Sequence, residues 1–111
     1  MNFRLPAPTL ALATGIALAT LAGFTPAFAK DVTVTITNFA FSPATTTIAA
    51  GDTVTFTNGD DTIHSVIADD GSFHSDGLDT GDKVSFSFAK AGMVGYHCGL
   101  HPFMKGEIIV K

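Results

Sequence analysis

A cysteine, a histidine and a methionine stand close together near the C-terminus, in the run Tyr96-His97-Cys98-Gly99-Leu100-His101-Pro102-Phe103-Met104. A further histidine, His64, lies 34 positions before the cysteine. One thiolate, two imidazoles and one weak thioether form the donor set that selects copper for one-electron transfer, with two His and one Cys in a plane and a long axial Met.

Spacing decides which side chains can meet. Along Met93 to Cys98 a strand would put Val94, Tyr96 and Cys98 on one face and Met93, Gly95 and His97 on the other. With Val94 and Tyr96 turned inward, Cys98 follows them and His97 points away, so His97 is a poor ligand. Gly99 permits a sharp bend after the cysteine. Two intervening residues then bring His101 to the same metal, and Pro102 restricts His101 to extended conformations. Two more residues lead to Met104, whose flexible thioether can approach axially. In isolation Met104 would read as a core gap-filler; within C-x2-H-x2-M it reads as a ligand.

The remaining nitrogen is assigned to His64 rather than His74. His64 adjoins a strand-like segment, sharing a face with Val66 opposite Ile63, Ser65 and Ile67. His74 lies among Ser72, Ser75 and Asp76 in a polar stretch. A ligand on a strand is better preorganised than one on a loop.

The elements that must hold these residues are strands. Val32, Val34 and Ile36 alternate with threonines, as do Val54 and Phe56, and Val84, Phe86 and Phe88 alternate with polar residues. Residues 106–111 read as a closing strand. Turn signals at Ser42-Pro43, Gly51-Asp52, Asn58-Gly59, Asp70-Gly71, Gly81-Asp82 and Ala91-Gly92 separate them. Short strands at such spacing predict an all-β sandwich or barrel. The polar segment from Asp69 to Gly81, anchored by Phe73 and Leu78, is expected to loop across one sheet edge.

The first 29 residues are set apart as a signal peptide. Arg4 is the only charge before Lys30, Leu10 to Leu21 is largely apolar, and Ala27-Phe28-Ala29 matches a small-residue cleavage site, so cleavage is expected after Ala29. Pro6, Pro8 and Pro26 confine the apolar run below the roughly 20 residues that a membrane span needs; a retained anchor is the competing reading. Residues 30–111 then form one small domain in an exported setting, expected to be periplasmic, monomeric and without a membrane span. One cysteine cannot close an internal disulfide. A lone thiol in an oxidising compartment is best explained by burial or by metal. Beyond Ala29, five lysines face ten acidic side chains. That balance argues against nucleic-acid binding.

The sequence resembles the amicyanin-like branch of the cupredoxins. The resemblance rests on Tyr96-His97-Cys98-x-x-His101-Pro102-Phe103-Met104, a contracted ligand loop. It extends through Gly51-Asp52-Thr53-Val54-Thr55-Phe56, His64-Ser65-Val66, Ala91-Gly92 and the ending Met104-Lys105-Gly106-Glu107-Ile108-Ile109-Val110. It implies an antiparallel Greek-key β-sandwich of about seven to eight strands with type 1 (blue) copper at one end. The implied ligands are His64, Cys98 and His101 in the plane and Met104 on the axis. One position departs from the family pattern: Ser65 stands where relatives have Asn, and a hydroxyl makes fewer hydrogen bonds than an amide.

The function expected is single-electron shuttling through Cu(II)/Cu(I). Redox partners are expected to dock transiently at His101 and the neighbouring Leu100, Pro102 and Phe103. The strongest alternative is a periplasmic copper carrier or buffer with the same four ligands. Zinc is chemically allowed in a His/Cys site. An enzyme is not expected, because copper reductases and oxidases need a second metal centre and only His74 and His97 are left to build one.

Overall fold

Alternating β-branched and threonine residues build the first strand, β1 (Asp31–Thr37), whose Val34 and Ile36 are fully buried. The chain reverses at Asn38 and Phe39 into β2 (Ala40–Ser42), then continues as β3 (Thr45–Ile48) and β4 (Thr53–Asn58). After a long excursion come β5 (Ile67–Ala68), β6 (Lys83–Ser87), β7 (Gly92–His97) and β8 (Lys105–Val110). This structure is a computed structural model, and it describes residues 28–111. The leader expected over residues 1–29 lies, up to residue 27, outside the described residues. No helix among the described residues is long and apolar enough to cross a membrane.

Two four-stranded sheets face each other, in the orders β2-β1-β4-β6 and β3-β8-β7-β5. The architecture is the expected all-β sandwich. Its sheets, however, are mixed rather than wholly antiparallel: β1 runs parallel to β4, and β3 runs parallel to β8. The cause is the crossover. After β2 the chain leaves the first sheet, contributes β3 to the second and returns as β4, and a parallel pair requires a connection of that length. Alternation within a strand reports which face is buried, not which way the neighbour runs.

The core between the sheets is aromatic at its centre. The Tyr96 ring lies 4.8 Å from Phe41 and 5.1 Å from Phe56, both edge-to-face, the arrangement that aromatic quadrupoles favour. The Tyr96 ring leans over Gly106, its partner across the β7–β8 ladder, and a Cβ at that position would overlap it. Val34, Ile36, Val54, Phe56, Val66, Ile108 and Cys98 fill the remaining interior with no exposure at all.

The Asp69–Gly81 excursion crosses the open edge of the second sheet as expected. Phe73 packs on Phe86 with centroids 4.6 Å apart, and Leu78 is buried. Single bridges pin it at two places, Ile67 with His74 and His64 with Leu78.

Candidate metal centre

The cysteine arrives just past the end of β7, and the loop behind it closes on itself. The Cys98 amide donates to the Met104 carbonyl at 3.1 Å, and the Met104 amide donates to the His101 carbonyl at 2.9 Å. These bonds fold residues 98–104 into one compact turn, which brings His101 back toward the sulfur and buries Met104 to 2% exposure. Cys98 follows Tyr96 into the interior, as alternation along β7 requires.

His64 does not sit on a regular strand. The strand expected there is confined to Ile67–Ala68, and Ser65 is buried beside His64 and Val66 instead of pointing to the opposite, exposed face. The reason is local hydrogen bonding. The His64 amide donates to the Leu78 carbonyl at 3.1 Å, and Leu78 returns a bond at 2.6 Å. Ser65 is drawn in by the cysteine loop: its amide donates to the Cys98 sulfur at 3.3 Å, and its hydroxyl accepts from the Gly99 amide at 2.9 Å. One serine therefore makes the tie to the cysteine loop. Gly99 allows the approach, since a Cβ there would come within 2.9 Å of the Ser65 hydroxyl and 2.6 Å of Ile67.

Three donor atoms face one point. The Nδ1 atoms of His64 and His101 lie 3.7 and 3.8 Å from the Cys98 sulfur. The donor atoms of all three residues fall within 4.8 Å of one another. Metal–nitrogen bonds near 2 Å and metal–sulfur bonds near 2.3 Å, meeting at trigonal or tetrahedral angles, place their donors roughly 3.5–4 Å apart. The residues therefore fit one ion. Met104, buried and tied by its backbone to Cys98 and His101, is the fourth, soft candidate ligand that the loop carries. His97 and His74 stay away from this cluster. His97 turns outward and pairs its Nδ1 with Asp69 at 2.7 Å, while His74 is exposed on the excursion.

Two residues that sequence reasoning missed complete the arrangement. Asp60 accepts from His64 Nε2 at 2.9 Å. A carboxylate can only accept, so the proton sits on Nε2 and the lone pair is left on Nδ1, where it can serve an ion shared with the sulfur. The Phe39 amide foremost, with His64 and the Asn38 amide, holds the Asp60 carboxyl below the ordinary carboxylate range against partial desolvation. Asn58, fully buried, fixes the loop that carries Asp60. Its amide donates to the Thr62 and Leu78 carbonyls at 2.9 and 2.8 Å, and its oxygen accepts from the Asp60 amide at 2.9 Å. An acidic residue four positions before a candidate ligand histidine was the available signal.

The electrostatics favour a thiolate. Burial pushes the Cys98 thiol up, but hydrogen bonds, the Ser65 amide's foremost and the Leu100 amide's among them, outweigh it and bring it down to about 6. A deprotonated sulfur is what a soft metal needs.

Comparison with known proteins agrees with this chemistry. Residues 9–110 match the Cupredoxin-like domain family. Amicyanin of Paracoccus versutus is 32% identical over 88 residues, covering 75% of this chain and 67% of that protein. The chloroplastic plastocyanin of Tetradesmus obliquus is 37% identical over 84 residues, covering 64% of this chain and 58% of that protein. The chain thus spans under two thirds of the plastocyanin's length. The structure of a purple cupredoxin from Nitrosopumilus maritimus superposes with a TM-score of 0.68 at 30% identity, over 73% of this chain and all of that one. With a soft His-Cys-His cluster and a buried methionine beside it, this chain belongs to the cupredoxin-like family, and copper is its metal.

Proposed function

We propose that the protein is an exported, periplasmic electron carrier with a type 1 copper site formed by His64, Cys98, His101 and Met104. Bound copper would supply a one-electron couple between Cu(II) and Cu(I). The chain supplies the rest. Cys98 provides a thiolate kept anionic by the Ser65 and Leu100 amides, and Asp60 fixes the His64 tautomer. The closed loop 98–104 and the sandwich beneath it resist rearrangement, which keeps the cost of changing oxidation state low. The observation that carries this reading is the convergence of two Nδ1 atoms on one buried sulfur.

Electrons would pass at the His101 edge, which is partly exposed between Leu100 and Phe103, themselves 53% and 69% exposed. An apolar patch of this kind suits the small, transient interfaces of redox encounters. Among the described residues, His64, Cys98 and His101 are the one such group of donors. The test is electron self-exchange in the copper-loaded protein. Rapid exchange with copper retained supports the carrier of electrons; slow exchange together with ready copper transfer to a chelator would turn the reading toward copper delivery.

A further inference from the structure

The hairpin joining β1 to β2 breaks a local rule at the one place where it touches the metal centre. Asn38 and Phe39 both lie in the left-handed region, at φ 52° and 56°. A two-residue hairpin of this kind favours Asn followed by Gly, because a side chain at the second position meets the steric cost of positive φ. Asn38 obeys; Phe39 does not. A non-glycine residue persists in such a conformation only where its surroundings over-determine it.

The surroundings here are the candidate ligands. The Phe39 ring stands edge-on to His64 with centroids 5.3 Å apart and to His101 with centroids 5.2 Å apart, both at 86°. The two imidazoles are themselves 5.0 Å apart, so one ring braces both. The same carboxylate that orients His64 also fastens the turn: Asp60 accepts from the Phe39 amide at 2.9 Å and from the Asn38 amide. Glycine at position 39 would relax the turn and leave both imidazoles unbraced.

We propose that Phe39 is a positioning residue of the metal centre: its ring, held over His64 and His101 at the expense of its own backbone, keeps both Nδ1 atoms on Cys98 and slows loss of the metal. This rests on the ligand set proposed above. The test compares Phe39→Gly, Phe39→Ala and Phe39→Tyr with the wild type in three measurements. These are Cu(I) transfer from the reduced protein to a chelator such as bathocuproine disulfonate, the rate at which an aromatic disulfide reagent modifies Cys98 in the apoprotein, and the apoprotein melting temperature.

The glycine and alanine variants should lose copper about tenfold faster, the scale of two lost aromatic contacts, with tyrosine restoring the wild-type rate. Both should expose Cys98 to faster modification. Between the two ring-less variants, glycine should melt about 4–8 °C above alanine, since only glycine accepts the left-handed turn without strain. Release and modification rates equal to wild type in both variants, or a glycine variant melting no higher than alanine, would overturn the assignment. A colourless copper-loaded wild type would overturn the ligand set along with it, whereas a blue wild type with unchanged variants overturns this assignment alone.

Discussion

Cys98 sits where one side chain answers to several donors at once. Its thiol is brought down to about 6 by hydrogen bonds that outweigh burial, so the metal-free protein carries a thiolate at neutral pH. A group whose folded value is depressed lends stability above its ordinary range and loses it as pH falls through the folded value. Apoprotein stability should therefore decline between about pH 9 and about pH 6, and the Cys98→Ser variant should lack that slope. Thiolate ultraviolet absorbance titrated in the apoprotein reads the same midpoint directly; a midpoint in the ordinary thiol range would contradict it. Asp60 belongs to this scale too. Removing its carboxylate in Asp60→Ala should weaken copper binding by about 10–100-fold, the usual effect of losing a partner that orients a ligand imidazole. A competition titration with unchanged affinity would show that Asp60 does not set the His64 tautomer. The convergence of Cys98 and His101 was legible because a tight loop keeps them close in sequence. Phe39, Asn58 and Asp60 were not, since they reach the site only through a hairpin turn and a loop whose curvature no periodicity encodes.

Strands were readable where alternation runs over several residues, whereas the short β2 and β3, each with one buried face, were not read. Thr33, Thr35 and Thr37 opposite Val32, Val34 and Ile36 gave β1, and the same pattern gave β4 and β6. The segment before Ile67 was not readable as it is, because Ser65 turns inward to bond the cysteine loop and breaks the alternation. Close packing within the β7–β8 ladder sets a further expectation. Gly106→Ala forces a Cβ into the Tyr96 ring, an overpacking that typically costs about 1–3 kcal/mol. Denaturant midpoints should record it, and a midpoint equal to wild type would mean that the ring moves freely. Asp52 makes the ends of β1 and β4 pH-sensitive. Hydrogen bonds from the Lys30 and Ala49 amides, at 2.9 and 3.0 Å, hold its carboxyl below the ordinary range. That stability is present above the ordinary carboxylate range and disappears as pH falls through the lowered folded value. Acid melts of Asp52→Asn should accordingly show a flatter low-pH limb than wild type.

For the whole molecule, the sandwich separates two tasks. Its interior fixes the donor atoms, and one exposed end presents His101 between Leu100 and Phe103. Ten acidic side chains against five lysines beyond Ala29 make the rest of the surface acidic, which favours basic partners through steering that salt would weaken. Phe103→Asp should leave the copper spectrum unchanged while slowing electron exchange by about tenfold, as for loss of an anchoring aromatic at a small interface. Stopped-flow exchange at wild-type rate would remove Phe103 from the docking surface. Strand spacing and turn residues left a sandwich or a barrel open, and the family resemblance pointed to the sandwich. Its parallel pairs were not legible, because they follow from a crossover that the second sheet imposes on the chain. The most direct measurement is the visible and electron paramagnetic resonance spectrum of the copper-loaded, oxidised protein beside its Cys98→Ser variant. Convergence on one sulfur predicts an intense thiolate-to-copper band and a narrow copper hyperfine splitting, both abolished by the serine; a colourless wild type, or a serine variant that stays blue, would contradict it.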